Sequence, residues 1–426
     1  MAPRTTRSLV CALLLLVPAC VADDDPVDES AAAGRCPDVS VLLGEDDPLG
    51  ELTIAPADES LRPIVIGFVN PDQGFPVTAP GSSTGFDAAV ELANACLGGI
   101  DGHPLEVDAC NAGDDATIQA CAVEMASTDD VHVVAAGLLP SSAPLYPVLE
   151  PTGKVVALMS PTTAGDLASR GALALYPGPV GVAAGLPTFA AEHLDADQIT
   201  VLTFNDEPGL RALEVVTQAA TAARVDVVPV TVGAADLDYS PFLAATPGAV
   251  ESDAVVAVLP GANCGTLAAS LELLLLDAPV VTTSACANPA VIEQSAGRLE
   301  GWFVGFDSVP PGEASVAPAE ARLLRDAWRQ FGEGDVGAPG VVTSFGLALA
   351  LWEVGRAVGF ADSSPAVWAE ALRSFPGPVL LGPRQLRCGV AEALPSLCGS
   401  ESRVFEITES GLVDATDGEP VTPFER

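Results

Sequence analysis

Nine short runs rich in Val, Ile and Ala punctuate the chain, at 64–69, 105–108, 131–136, 155–159, 199–204, 225–230, 254–259, 280–282 and 302–305. Amphipathic stretches lie between them. In 85–97, for example, Phe86, Val90, Ala93 and Leu97 share one helical face. Further helices are predicted over 116–127, 180–193, 210–223, 266–276, 318–331 and 343–358. Apolar strands alternating with helices specify parallel sheets covered on both faces, built by right-handed crossovers. The order divides into a first sheet from Ile64 to about Pro177 and a second α/β block from about Val180 to Gly301. A helix-rich stretch, 307–376, and a strand-rich tail, 379–413, follow. Open parallel sheets bind ligands beyond the carboxyl ends of their strands. Two such sheets facing each other predict a cleft with a hinge at the crossings.

With 426 residues, the chain exceeds a single core, and its 49% hydrophobic content is ample for two. Beyond the N-terminus no run is long enough to span a membrane. The charge balance removes whole classes of function. Asp and Glu number 57 against 18 Lys and Arg, a formal charge of −39, and Lys154 is the sole lysine. Nucleic acid and anionic membrane surfaces would be repelled. The excess reads as a solvated acidic surface, with attraction of a cationic ligand as the other reading.

Arg4 and Arg7 precede an apolar core at 9–17, too short to cross a bilayer, and Val17-Pro18-Ala19-Cys20 follows. This reads as a signal peptide, 1–19, ending at a lipidated Cys20, although Pro18 is unusual there. An acidic tether, 20–62, is expected next, because its Asp, Glu, Ala and Pro bury little apolar surface. Eight other cysteines of the exported chain suggest disulfides. Proximity pairs Cys110 with Cys121, Cys264 with Cys286, and Cys388 with Cys398, which leaves Cys36 and Cys96. No C-x-x-C occurs, and His103, His132 and His193 lack ligand spacing, so no metal or other cofactor is expected.

Several segments in order resemble the type I periplasmic solute-binding proteins, of the branched-chain amino-acid (leucine/isoleucine/valine) binding family of ABC transporters. They are Pro63-Ile-Val-Ile-Gly-Phe-Val-Asn70, Gly85-Phe-Asp-Ala-Ala-Val-Glu-Leu-Ala-Asn94, Gly98-Gly-Ile-Asp-Gly-His-Pro-Leu-Glu-Val107, Val133-Val-Ala-Ala-Gly137, Pro140-Ser141-Ser142 and Val156-Ala-Leu-Met-Ser-Pro-Thr-Thr163. The resemblance spans about 62–418. It implies two Rossmann-like α/β lobes with central parallel sheets, joined by a three-strand hinge. Lobe one would comprise 63–178 and 307–377, and lobe two 179–306 and 378–426. It also implies that Ser141, Ser142, Thr162 and Thr163 hold a ligand carboxylate. Ser and Thr at helix starts do leave N–H donors for an anion. Asn70, Asp72 and Gln73, after the first strand, are expected at the same cleft.

The second lobe departs from the family pattern. Thr283-Ser284-Ala285-Cys286-Ala287 has no carboxylate where the family places one for a ligand ammonium, which leaves Ser284 as the candidate. The loop Asn205-Asp206-Glu207-Pro208-Gly209 has no aromatic residue, though Asp206 and Glu207 are candidates. The stretch from Thr162 to Gly171 is one residue short of the family loop. The ligand therefore remains open among an amino acid, an amide and a short carboxylate. No G-x-S-x-G, H-E-x-x-H or phosphate-binding glycine loop is present, so the chain is not expected to be an enzyme. The resemblance implies a monomeric receptor that delivers a small molecule to a membrane ABC permease. A ligand-sensing module for signalling is the alternative.

Overall fold

The computed structural model of the protein describes residues 36–42, 54–313, 315–389 and 394–424. The leader, Cys20 and most of the acidic stretch lie outside the described residues.

The first sheet has five parallel strands in the order β2-β1-β3-β4-β5. They are β1 (Ile64–Asn70), β2 (Leu105–Asn111), β3 (Val131–Ala136), β4 (Val155–Leu158) and β5 (Ala172–Ala174). Alternate residues serve opposite faces, as the pleat demands. Ile64, Ile66, Phe68, Val133 and Ala135 enter one core, and Val69, Val134 and Ala136 enter the other.

The second sheet has seven strands in the order β12-β11-β10-β9-β8-β6-β7. Its parallel part is β6 (Gln198–Phe204), β7 (Asp226–Val232), β8 (Ala254–Val258), β9 (Val280–Thr283) and β10 (Phe303–Phe306). Strands β11 (Arg403–Thr408) and β12 (Gly411–Asp414) add antiparallel at one edge. Leu202, Val255 and Ala257 face one core here, and Val201, Ala254 and Val256 the other.

Helix α1 (Pro80–Cys96) begins five residues before the predicted start. Pro80 suits the first turn of a helix, but the Pro-Gly-Ser-Ser that opens it reads as loop. Tertiary packing decides otherwise. A Cβ at Gly85 would lie 2.5 Å from the Val341 carbonyl oxygen, and one at Gly81 would lie 2.7 Å from that of Pro339. These glycines let α1 lie directly against the start of a long helix over Val341–Val358. That helix has 18 residues and a mean hydropathy of 1.4, long and apolar enough to cross a membrane, contrary to the sequence expectation. Most of it is buried in the first core beside Phe86 and Leu92, so packing accounts for its composition. The helix over Pro318–Phe331 and another over Pro365–Ser374 join the same core. Between β2 and β3 lies α2 (Asp115–Ser127). Lys154 accepts the task of closing it: its ammonium donates to the Met125 carbonyl at 2.6 Å and the Thr128 carbonyl at 2.8 Å. A cation there complements the helix dipole.

Three passages link the sheets. The chain leaves β5 for a helix over Gly178–His193 that packs on the second sheet. It returns after β10 to the helices of the first core, and crosses finally before β11. The last crossing falls later than the sequence reading places it. Val379, Leu381, Leu386 and Cys398 lie in the first core and not with the second sheet. The reason is the open edge of β5. Ala174 donates to the Ser396 carbonyl at 2.8 Å and accepts from Cys398 N–H at 3.0 Å. Gly399 then runs so close to the Leu175 carbonyl that no side chain fits there.

The tether expectation also needs correction at its C-terminal part. A disulfide joins Cys36 to Cys96 at the end of α1, and Val39 is buried against the first core. Ala57 N–H then bonds the Asn94 carbonyl at 2.7 Å. A covalent staple supplies the order that the local composition lacks. The other disulfides are Cys110–Cys121, Cys264–Cys286 and Cys388–Cys398.

Replacing Gly85 by Ala should force α1 and the Val341–Val358 helix apart. Urea unfolding should show a loss of about 1–3 kcal/mol, typical of overpacking. Wild-type stability in that variant would contradict the close packing described.

Candidate functional site

The predicted ligand residues lie at or just beyond the carboxyl ends of the parallel strands. Ser141 and Ser142 follow β3, Thr162 and Thr163 follow β4, and Asn70 ends β1 ahead of Asp72 and Gln73. In the second sheet, Asp206 and Glu207 follow β6, and Ser284 follows β9. The structure gives these residues quite different partners.

Asn70 is 1% exposed and is held by several bonds within the protein. Its amide donates to Asp72 at 2.7 Å, the Ala79 carbonyl at 2.8 Å and Ser83 Oγ at 3.2 Å. Its oxygen accepts from Leu138 N–H at 3.2 Å. Asn70 thus locks β1, the loop after β3 and the start of α1 together, and its amide hydrogens are engaged within the protein. Asp72 accepts from Ser83 Oγ at 2.6 Å as well. The Gln73 side chain is exposed, while its backbone carbonyl accepts from the Asn111 amide at 3.1 Å.

Asp206 caps the helix over Glu207–Ala223: its carboxylate accepts from Gly209 N–H at 2.9 Å. This is a cap's role, and it occupies the oxygen nearest the helix. Glu207 and Ser284 are exposed.

Three of the four hydroxyl residues expected to hold an anion, Ser142, Thr162 and Thr163, meet the protein's own Asp166 carboxylate. Asp166 is fully buried. One of its oxygens accepts from Ser142 N–H at 3.1 Å and the Tyr146 hydroxyl at 2.7 Å. The other accepts from Thr163 N–H at 2.9 Å, Thr163 Oγ1 at 2.9 Å and Thr162 N–H at 3.2 Å. Thr162 Oγ1 also lies 3.3 Å from that oxygen, with its proton shared toward the Leu139 carbonyl at 3.0 Å. Ser141 stands aside, its hydroxyl accepting from Ala143 N–H at 3.2 Å. Burial raises the Tyr146 phenol well above its ordinary range, and the Asp166 charge adds to this, so Tyr146 stays a donor.

The local sequence builds this arrangement. Thr163 is the N-cap of a one-turn helix, Ala164–Ala168, and Asp166 is its third residue, so the two form a reciprocal capping box. Thr163-x-x-Asp166 was the available sequence signal for it. The contacts to Ser142 and Tyr146 are long-range and have no local signature. Ser396 Oγ donates to the Asp166 carbonyl at 2.8 Å, tying the tail to the same turn.

Asp307 was not foreseen either. It follows β10 at the second crossing, half-buried, with Ser308 Oγ donating to it at 3.2 Å. Burial raises its carboxyl above the usual range despite that bond. No cluster of three or more His, Cys, Asp or Glu able to hold a metal occurs among the described residues.

Replacing Tyr146 by Phe removes one donor from a buried carboxylate while keeping the ring. It should cost about 1.5–3 kcal/mol in urea unfolding. An unchanged midpoint would mean that Asp166 does not depend on that bond.

A family model described as periplasmic binding protein matches residues 63–391. No curated protein matches the sequence. Solved structures do match the fold. A protein described as a branched-chain amino acid ABC transporter from Rhodospirillum rubrum has a TM-score of 0.67 at 15% identity, covering 83% of this chain and 100% of its own. The LivJ substrate-binding protein of Streptococcus pneumoniae, in complex with isoleucine, has a TM-score of 0.60 at 16% identity, covering 84% and 98%. A solute-binding protein of R. palustris, in complex with 4-hydroxybenzoate, has a TM-score of 0.62 at 14% identity, covering 85% and 97%. Two mainly parallel α/β sheets, three passages between them and the span of the family match lead to one assignment: the chain belongs to the periplasmic binding protein family and has its type I two-lobed fold.

Proposed function

We propose that the chain is the extracytoplasmic substrate-binding lipoprotein of an ABC importer, which captures a small polar metabolite between two lobes. The observation that carries this reading is the triple passage between two mainly parallel sheets whose strand ends bear polar loops. Lobe one is 63–178 with 307–398, and lobe two is 179–306 with the remaining tail. Three linkers side by side allow hinge closure, and a ligand touched by both lobes favours the shut form. The shut form is what a membrane permease would recognise. The relatives in complex with isoleucine and 4-hydroxybenzoate support a small organic solute, and the protein itself acts as a monomer.

The anchor follows from the apolar core at 9–17 and Cys20. Cys36, 16 residues after Cys20, is stapled to α1.

Two measurements test this reading. A thermal-shift screen against amino acids, amides, amines and short carboxylates should find a ligand. At a hundredfold excess over Kd it should stabilise by about 2.7 kcal/mol. No shift with any class would count against solute capture. Mass spectrometry of the membrane fraction should find Cys20 as a diacylated N-terminus; an unmodified thiol there would reject the lipid anchor.

A further inference from the structure

We propose that Asp166 is a specificity-determining residue: it fills the donor set between β3 and β4 with the protein's own carboxylate and restricts the site to neutral or cationic ligands lacking a free carboxylate. This deepens the solute-binding reading and rests on it.

The first observation is saturation. Three backbone N–H groups, from Ser142, Thr162 and Thr163, and two hydroxyls, from Tyr146 and Thr163, converge on one carboxylate. A helix cap needs only the Thr163 half of this. Ser142 and Tyr146 belong to a different loop, so the arrangement is a complete anion cradle assembled from two strand ends. A buried charge must be matched by such donors, because leaving it unmatched is expensive. A ligand carboxylate can reach the donors only by expelling Asp166, which would leave that charge to be solvated elsewhere.

The second observation concerns what else lies at the strand ends. The loops 71–79, 137–142, 159–163, 205–206, 259–263, 284–288 and 307–313 contain no Lys, Arg or His. With the N–H cradle occupied, no cationic side chain in them is available to an incoming anion. The same loops do carry Asp72, Asp206, Asp307 and Glu313, with Glu207 just beyond, so their field opposes anions and favours cations. The protein's overall charge of −39 acts in the same direction.

The test has two arms. In the first, wild-type protein is titrated calorimetrically with matched pairs of compounds, each a carboxylic acid and its primary amide or amine counterpart. The proposal expects the carboxylate member of every pair to bind more weakly or not at all; tighter binding of an acid than of its counterpart overturns it. In the second, Asp166→Ala is melted with and without sodium acetate, with sodium chloride as the ionic-strength control. The variant should melt several degrees below wild type, and acetate should restore part of the loss saturably while leaving wild type unmoved. An Asp166→Ala protein indifferent to acetate overturns the cradle. A purely structural cap would give the loss without the rescue by a free carboxylate. If Asp166→Ala does not fold, Asp166→Gly expressed and refolded in acetate replaces it, and failure to recover folded protein there also counts against the proposal. The second arm needs no native ligand, so a wild-type protein that binds nothing overturns the solute-binding reading while the rescue still decides the role of Asp166.

Discussion

The Asp166 carboxylate lies out of contact with water, and its neighbours are arranged around that fact. Among the described residues no ion pair neutralises it. Its charge is met by N–H groups and hydroxyls from the loops after β3 and β4. A charge held this way ties its donors to fixed positions, because moving any one exposes an unsatisfied partner. Two loops of a kind that is usually mobile are thereby fastened together at the carboxyl end of the first sheet.

The rest of the first lobe is organised to keep that end in place. Asn70 fixes the loop after β3 from the other side, through Leu138 N–H. Ser396 brings the tail onto the Asp166 turn, and the pairing of residues 396–398 with Ala174 closes the exposed side of β5. The final passage to the second sheet starts just beyond, at Gly399. The anion cradle and the linkers between lobes therefore share one small region, so a change of group in the cradle acts close to the hinge.

Much of this architecture is legible in the sequence, for identifiable reasons. Strands such as β1, β3, β6 and β8 are buried on both faces, so they write continuous apolar runs. The helix over Pro318–Phe331 is amphipathic and reads cleanly. Strand β5 has only three residues and is defined by its neighbours, so it has no periodicity of its own. The start of α1 depends on glycines that matter only because another helix lies against them. Asn70 shows why site residues are harder. A polar residue ending a strand reads as ligand-facing, yet its bonds go to Ala79, Ser83 and Leu138, none of which local sequence reveals as neighbours. The family resemblance offers Ser142, Thr162 and Thr163 as anion donors, and their N–H groups meet the Asp166 carboxylate. What they hold was not recognised, because Asp166 reaches them by a turn whose capping pattern is common to many helix starts.

The central claim is that the protein fills its own anion cradle and takes a ligand by other groups. A crystal structure of the ligand-bound protein tests it most directly. The account predicts Asp166 within hydrogen-bond distance of the backbone nitrogens of Ser142, Thr162 and Thr163, with the ligand presenting no carboxylate to them. A ligand carboxylate seated on those nitrogens, with Asp166 turned out to solvent, would contradict it.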